Sequence, residues 1–176
     1  MVTPRVVTLI GTPRPRSQTR AVAALAARAI GGRIGPVEQE ILDLSALAAA
    51  LGSASASAVV ETAVEMVREA DVLVVASPSH KGTYTGLLKT FLDRLPSGAL
   101  TSAVALPLLV LSDPRHALAV EVHLRPALVE LGAFVPTPGA VLLESRIERA
   151  GEILDGWAGQ VAPQVAAVLG TRAAAA

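Results

Sequence analysis

Two stretches of this sequence are crowded with groups that hold ligands. The first is Gly11-Thr12-Pro13-Arg14-Pro15-Arg16-Ser17-Gln18-Thr19, with three hydroxyls and two arginines. It follows an apolar run, Arg5 to Ile10, and precedes a segment with Val22, Leu25, Ala26 and Ala29 on one helical face. Ser17 stands where an N-cap belongs, its hydroxyl able to accept from a free first-turn amide. Donors in a concave turn at the positive end of a helix are what a phosphate needs. Arg14 or Arg16 adds a charge-assisted contact. A capped helix with two solvated arginines is the plainer alternative. The spacing matches neither G-x-x-x-x-G-K-[ST] nor G-x-G-x-x-G, so a monophosphate suits the loop better than a triphosphate or a conventional dinucleotide.

The second stretch, Ser77-Pro78-Ser79-His80-Lys81-Gly82-Thr83-Tyr84-Thr85-Gly86, follows the continuous apolar run Val72 to Ala76. That run has the pattern of a strand covered on both faces. Gly82 and Gly86 permit close backbone approach, and the hydroxyls of Thr83, Tyr84 and Thr85 suit the polar edge of a flat heterocycle. His80 and Tyr84 can stack on its face. His80 serves equally well as a loop histidine bonded to backbone, and Tyr84 as a ring packed against the sheet edge. Leu87, Leu88, Phe91, Leu92 and Leu95 then mark an amphipathic helix. Lys81 and Lys89 are the only two lysines; Lys89 has Asp93 at i,i+4 and reads as a helix-surface charge.

The elements that position these loops alternate along the chain. A second strand is expected over Val37 to Leu44, its charges suiting an edge. A loop with a short helix follows over Ser45 to Ser57, then a helix through Val60, Ala63, Val64 and Val67. A fourth strand spans Ala103 to Leu111, with Pro107 predicting a bulge or bend. A helix over Pro114 to Leu131 should kink or divide at Pro126. A fifth strand covers Ala140 to Leu143. The last helix opens on a Ser145-Arg146-Ile147-Glu148 capping box and kinks at Pro163. Five such alternations predict an α/β, doubly wound, five-stranded parallel sheet of order 2-1-3-4-5 with helices on both faces. Ligands of such sheets sit beyond the strand carboxyl ends where the order reverses, here between strands one and three. The two unusual loops follow those two strands. Phosphate at one and a planar ring at the other describe flavin mononucleotide, FMN.

With 176 residues the chain is expected to form one domain over 1–170, with a flexible tail at 171–176. The formal net charge is zero, without a basic stripe, which counts against nucleic acid. The absence of cysteine excludes disulfides, thiolate metal sites and cysteine nucleophiles. The apolar run at 6–10 is too short for a signal peptide, and that at 99–111 is interrupted, so a cytoplasmic protein off the membrane is expected.

GTPRPRSQT resembles the G-S-P-R-x-x-S-x-[ST] signature of flavodoxin-like NAD(P)H-dependent FMN reductases. ADVLVVASPSHKGTYTGLLKTFLDRLP is similar to the same family's A-D-x-x-[IV]-x-[AG]-[ST]-P-x-Y-x-x-[ST]-x-[ST]-G-x-L-K-x-x-L-D-x-L-P stretch. Weaker likeness continues over residues 116–133, and the reductase components of two-component alkanesulfonate monooxygenase systems resemble the chain most. The resemblance implies that Thr12, Arg14, Ser17, Gln18 and Thr19 hold the FMN phosphate. It also implies that Pro78, Ser79, His80, Lys81, Gly82, Tyr84 and Ser112 border the ring. NAD(P)H would be the hydride donor, reduced FMN would pass to a partner monooxygenase, and the chain would form a homodimer or homotetramer. The cofactors carry such chemistry, so the resemblance implies no catalytic side chain and no metal. A flavin-retaining quinone or azo reductase, an electron carrier and a redox-sensing module are the alternatives.

Three departures accompany the likeness. His80 stands where the family usually has tyrosine. Val110-Leu111-Ser112, followed by Asp113-Pro114-Arg115, replaces a Thr-Gly-Gly loop and is expected to bring a leucine and a carboxylate near the flavin. Val122-His123 occupies a place in the fourth helix where some relatives carry an aromatic or histidine at a subunit interface.

Overall fold

The computed structural model describes residues 3–53 and 57–175. Five strands, β1 (Arg5–Ile10), β2 (Glu38–Asp43), β3 (Val72–Pro78), β4 (Val104–Leu111) and β5 (Ala140–Leu143), form one parallel sheet of order β2-β1-β3-β4-β5. The expected architecture and strand order are therefore correct. Alternate residues of the central strands feed two cores. Val6, Ile10, Val72, Val74, Ala76, Leu106 and Leu108 meet α1 (Gln18–Ile34) and α6 (Ala150–Ala175) on one face. Val7, Leu9, Leu73, Val75, Leu109 and Leu111 pack in the core on the other. There lie α2 (Ala48–Leu51), α3 (Ala58–Arg68), α4 (Gly86–Leu92) and α5 (Arg125–Glu130). Every residue of β4 is buried, which only a sheet covered on both sides allows.

The second strand is an edge as its charges suggested, with Glu38, Gln39 and Ile41 exposed. The stretch after it holds a 3-10 turn, Leu44–Leu47, and the four-residue α2. Residues 54–56 of that stretch lie outside the described residues.

Pro107 makes neither bulge nor bend: the β3–β4 register runs unbroken from Val72↔Val104 to Pro78↔Val110. The Ala105 amide points away from β3, donating to the Phe134 carbonyl at 2.9 Å. By the two-residue alternation Pro107 faces the same side, in the interval before β5 begins to pair at Leu108↔Ala140. No ladder bond is lost there. Arg125 spans that interval, donating from Nη1 to the Val135 carbonyl at 2.7 Å and from Nη2 to that of Thr137 at 2.5 Å. Glu121 accepts from the Gly139 amide at 2.6 Å and from Arg125 Nε at 2.5 Å.

The single helix expected over 114–131 is instead a 3-10 turn (Pro114–His116), a π-helical turn (Val120–Leu124) and α5. Pro126 lacks the amide an α-turn needs, and the wider π turn directly before it accommodates that loss. The capping box at Ser145 does not form. Residues Glu144–Arg149 make a 3-10 segment in which Arg146 leaves helical geometry (φ −115°, ψ 16°), and no side chain caps it. The helix proper starts at Ala150 and runs through Pro163 without division. It also carries 171–175, where a tail was expected; alanine has the highest helix propensity, and Thr171 Oγ1 donates to the Ala167 carbonyl at 2.9 Å. Residue 176 is outside the described residues. Among the described residues, no helix is long and apolar enough to cross a membrane.

Candidate functional site

The carboxyl ends of β1, β3 and β4 present three loops on one rim of the sheet. Thr12 and Thr19 are buried, Ser17 is half-buried, and Arg14, Arg16 and Gln18 are exposed. Ser17 is the N-cap of α1, as expected, with its Oγ accepting from the Arg20 amide at 3.1 Å. A hydroxyl that accepts still has its own proton to donate. The first-turn amides of Gln18 and Thr19 have no acceptor inside the helix. Thr12 Oγ1 accepts from the Arg14 amide at 3.3 Å, curling the loop back on itself. Arg16 holds a left-handed conformation, φ 55°, unusual for a residue with a side chain. Among the described residues, neither Arg14 nor Arg16 has a carboxylate partner.

The loop after β3 is a tight hairpin. The His80 amide donates to the Thr83 carbonyl at 2.7 Å, and the Thr83 amide donates back at 3.2 Å. Between them Lys81 (φ 52°) and Gly82 (φ 83°) are both left-handed, the pattern of a type I′ turn. His80 and Lys81 are thereby thrust into solvent at the tip. Tyr84 is half-buried against the core, and that burial raises its hydroxyl pKa above the ordinary value. Lys89 pairs with Asp93 on the exposed face of α4, as its spacing suggested.

What joins the two loops is a set of bonds converging on the Gly11 carbonyl. Thr85 Oγ1 donates to it at 2.6 Å and Ser77 Oγ at 3.3 Å. Ser77 Oγ has one proton, which it shares between that carbonyl and the Pro78 carbonyl at 2.9 Å, and it accepts from the Thr85 amide at 3.1 Å. Thr85 in turn caps α4, accepting from the Leu88 amide at 3.1 Å. The Thr85 hydroxyl is therefore occupied within the fold and is not a free donor for a ligand edge. Gly86 has open space around it, whereas Gly11 is where the chain itself packs closely. A Cβ at Gly11 would lie 2.6 Å from Leu88 Cβ.

The third loop overturns one expectation. Leu111 is wholly buried in the core, because its side chain follows strand alternation away from the rim. Asp113 does stand on the rim but is already engaged. It accepts from the Arg115 amide at 2.9 Å and from its guanidinium Nε and Nη2 at 2.9 and 2.5 Å. Those bonds, the side-chain one first, lower its pKa from 3.8 to about 2. Ser112 is exposed. His116, which sequence reasoning left aside, places Nδ1 3.2 Å from Ser79 Oγ, within hydrogen-bond reach. Ser77 was likewise missed. Asp113 was expected on the rim but its capping role was not, although the Asp113-Pro114 pair, a cap residue before a proline at the first helical position, was a readable signal for it. His123 lies exposed on the π turn beside Val122.

Two concavities of about 270 and 320 Å³ lie elsewhere, between α3 and Arg94 and between α1 and α6. Neither is lined by the residues of the three loops.

The family model for "NADPH-dependent FMN reductase" matches residues 4–147. The FMN reductase (NADPH) of Escherichia coli K12 is 37% identical over 129 residues, covering 73% of this chain and 68% of that one. The NADH-dependent FMN reductase SfnF of Pseudomonas fluorescens is 33% identical over 120 residues, covering 66% and 63%. The chain thus matches about two thirds of the length of these curated relatives. The apo NADH:FMN oxidoreductase EMOB superposes with a TM-score of 0.76 at 28% identity, covering 90% of both chains. An azoreductase from Bacillus anthracis, at 15% identity and a TM-score of 0.58, shares the fold alone. Fold, loops and family model agree with the likeness seen in the two motifs, and the chain belongs to the NADPH-dependent FMN reductase family of flavin oxidoreductases.

Proposed function

We propose that this protein reduces FMN with NADH or NADPH and releases the reduced flavin to a partner monooxygenase. The observation that carries the reading is the coupling of the first two loops through the Gly11 carbonyl. It sets an anion-ready helix start and a donor-rich hairpin side by side on one rim. The donor set fits FMN. At one end, the Gln18 and Thr19 amides, the Ser17 hydroxyl and the unpaired Arg14 and Arg16 suit a phosphate dianion. At the other, Ser79, His80, Lys81, Gly82 and Ser112 offer polar atoms and backbone to a ring, with Pro78 and Tyr84 as its apolar border.

When bound, FMN would supply the redox chemistry, as acceptor of the hydride from the reduced nicotinamide. The protein's part is to bind and orient. Ser17 and the first-turn amides would fix the phosphate end, and the type I′ hairpin would set the height of the ring end. The SfnF and SfnE relatives are named NADH-dependent FMN reductases. We place the reaction in the cytoplasm, where reduced nicotinamides circulate.

A homo-oligomer is part of the proposal. Leu118, Val122, Val129 and Phe134 are exposed just before the π turn, on it, on α5 and at the isolated bridge to Val104 that follows, and a second copy is the occupant we infer. The decisive assay is NAD(P)H oxidation by the purified protein with and without added FMN. An FMN-dependent rate is expected, and its absence overturns the reading. Stoichiometric flavin that survives purification, with turnover only on a quinone or azo dye, would favour a flavin-retaining reductase.

A further inference from the structure

The loop after β4 ends in the 3-10 turn Pro114–His116, and two features fix that turn. Asp113 caps it through the Arg115 amide, and the Asp113 carbonyl accepts from the His116 amide at 3.1 Å. The side chain so fixed is His116. Its Nδ1 lies 3.2 Å from Ser79 Oγ, the first residue beyond β3. Its ring edge lies under the hairpin tip, with Cδ2 and Nε2 only 3.8 and 3.9 Å from where a Cβ on Gly82 would stand. The histidine thus bonds to the base of the hairpin and stands close to Gly82 near its tip. Either neutral tautomer serves the bond to Ser79, because a hydroxyl both donates and accepts. The turn itself is closed by the His80–Thr83 backbone pair, with both intervening residues in a left-handed conformation. Its base is tied by the Ser79 amide to the Val110 carbonyl at 2.9 Å and by the Thr85 amide to Ser77 Oγ at 3.1 Å.

We propose that His116 is a positioning residue for the ring side of the site, coupling the loop after β4 to the hairpin 79–84 through Ser79. This rests on the flavin reading given above. It assigns His116 to geometry rather than to ligand contact. Consequently its loss should affect every ligand that uses the hairpin and none that uses only the phosphate loop.

The test has two arms. In the ligand-free protein, amide hydrogen exchange is followed in wild type, His116→Ala, His116→Asn and Ser79→Ala. Faster exchange is expected at residues 80–84 in His116→Ala and Ser79→Ala, with α1 and β1 unchanged. His116→Asn, whose side-chain amide can reproduce the Nδ1 contact, should stay near wild type. In the second arm, FMN and riboflavin are titrated by flavin fluorescence. His116→Ala should weaken both by a similar factor, about fivefold for one lost hydrogen bond, while in the exchange arm adding Ser79→Ala should speed residues 80–84 no further than His116→Ala alone. Arg14→Ala should weaken FMN alone. Unchanged exchange at 80–84 in His116→Ala overturns the proposal whether or not flavin binds. So does an Ala effect on exchange that Asn fails to rescue together with additive increases in the double variant. If wild type binds neither flavin, the flavin reading falls while the exchange arm still decides the coupling.

Discussion

Replacing Thr85 by valine removes one oxygen and keeps the shape of the side chain. That oxygen has two tasks: it donates to the Gly11 carbonyl at 2.6 Å and accepts from the Leu88 amide at 3.1 Å. The residue is buried, so water cannot replace either partner. Loss of an N-cap costs about 1 kcal/mol, and a buried group left without its partner costs about 1–3 kcal/mol. Ser77 Oγ, at 3.3 Å, still reaches the Gly11 carbonyl and softens the second term. The expected loss is therefore about 2–3 kcal/mol, or about 4–12 °C in Tm for a chain of this size. Thr85→Ser keeps both bonds and should lose well under half as much. Urea unfolding measures this as a lower midpoint at unchanged m. The same variant should also loosen FMN, since the hairpin and the phosphate loop lose their strongest tie. If Thr85→Val unfolds within about 0.5 kcal/mol of wild type, or if Thr85→Ser falls equally far, the Gly11 carbonyl is not the joint described.

Two further outcomes follow from the rim. The Asp113 carboxyl has a folded pKa of about 2 against an ordinary 3.8. Its contribution to stability is thus complete above about pH 4 and disappears as pH falls toward 2. Asp113→Asn should flatten the acid limb of a stability–pH curve in that window, and an unaltered limb would refute the assignment. Gly82→Ala meets no atom nearer than 3.8 Å, so its cost is conformational. The φ of 83° should destabilise the alanine variant by about 1 kcal/mol, read by thermal unfolding, with no loss expected only if the hairpin relaxes to another turn.

The sheet was legible because buried parallel strands carry an unmistakable signal. Val72 to Ala76 and Ala140 to Leu143 are apolar runs too short for helices, and their alternation with helical periods leaves few topologies. Ser17 was legible as a cap for a similarly local reason. The misreadings concern tertiary context. Pro107 suggested a bulge, but the effect of a missing amide depends on whether a neighbour is there to receive it. Thr85 looked like a ligand donor because sequence shows a hydroxyl without showing what already holds it. Leu111 was expected at the rim because alternation could not be phased without knowing which face met which helix. His116 was overlooked since its partner, Ser79, is 37 residues away.

Pro107 also has a consequence at the margin of the sheet. With no amide to offer at that point, β4 has nothing to donate to a longer fifth strand, and β5 pairs over only four residues. The carbonyls of Val135 and Thr137 are taken by the Arg125 guanidinium instead of standing open to another chain. The opposite margin, β2, is guarded differently, by the exposed Glu38 and by Glu40 held to Arg5. Both are means by which natural sheets resist strand-to-strand aggregation. A chain with 52% hydrophobic residues and a neutral formal charge has little electrostatic repulsion to keep its copies apart. Its solubility then depends on a proline, an arginine and a few carboxylates at the two ends of one sheet.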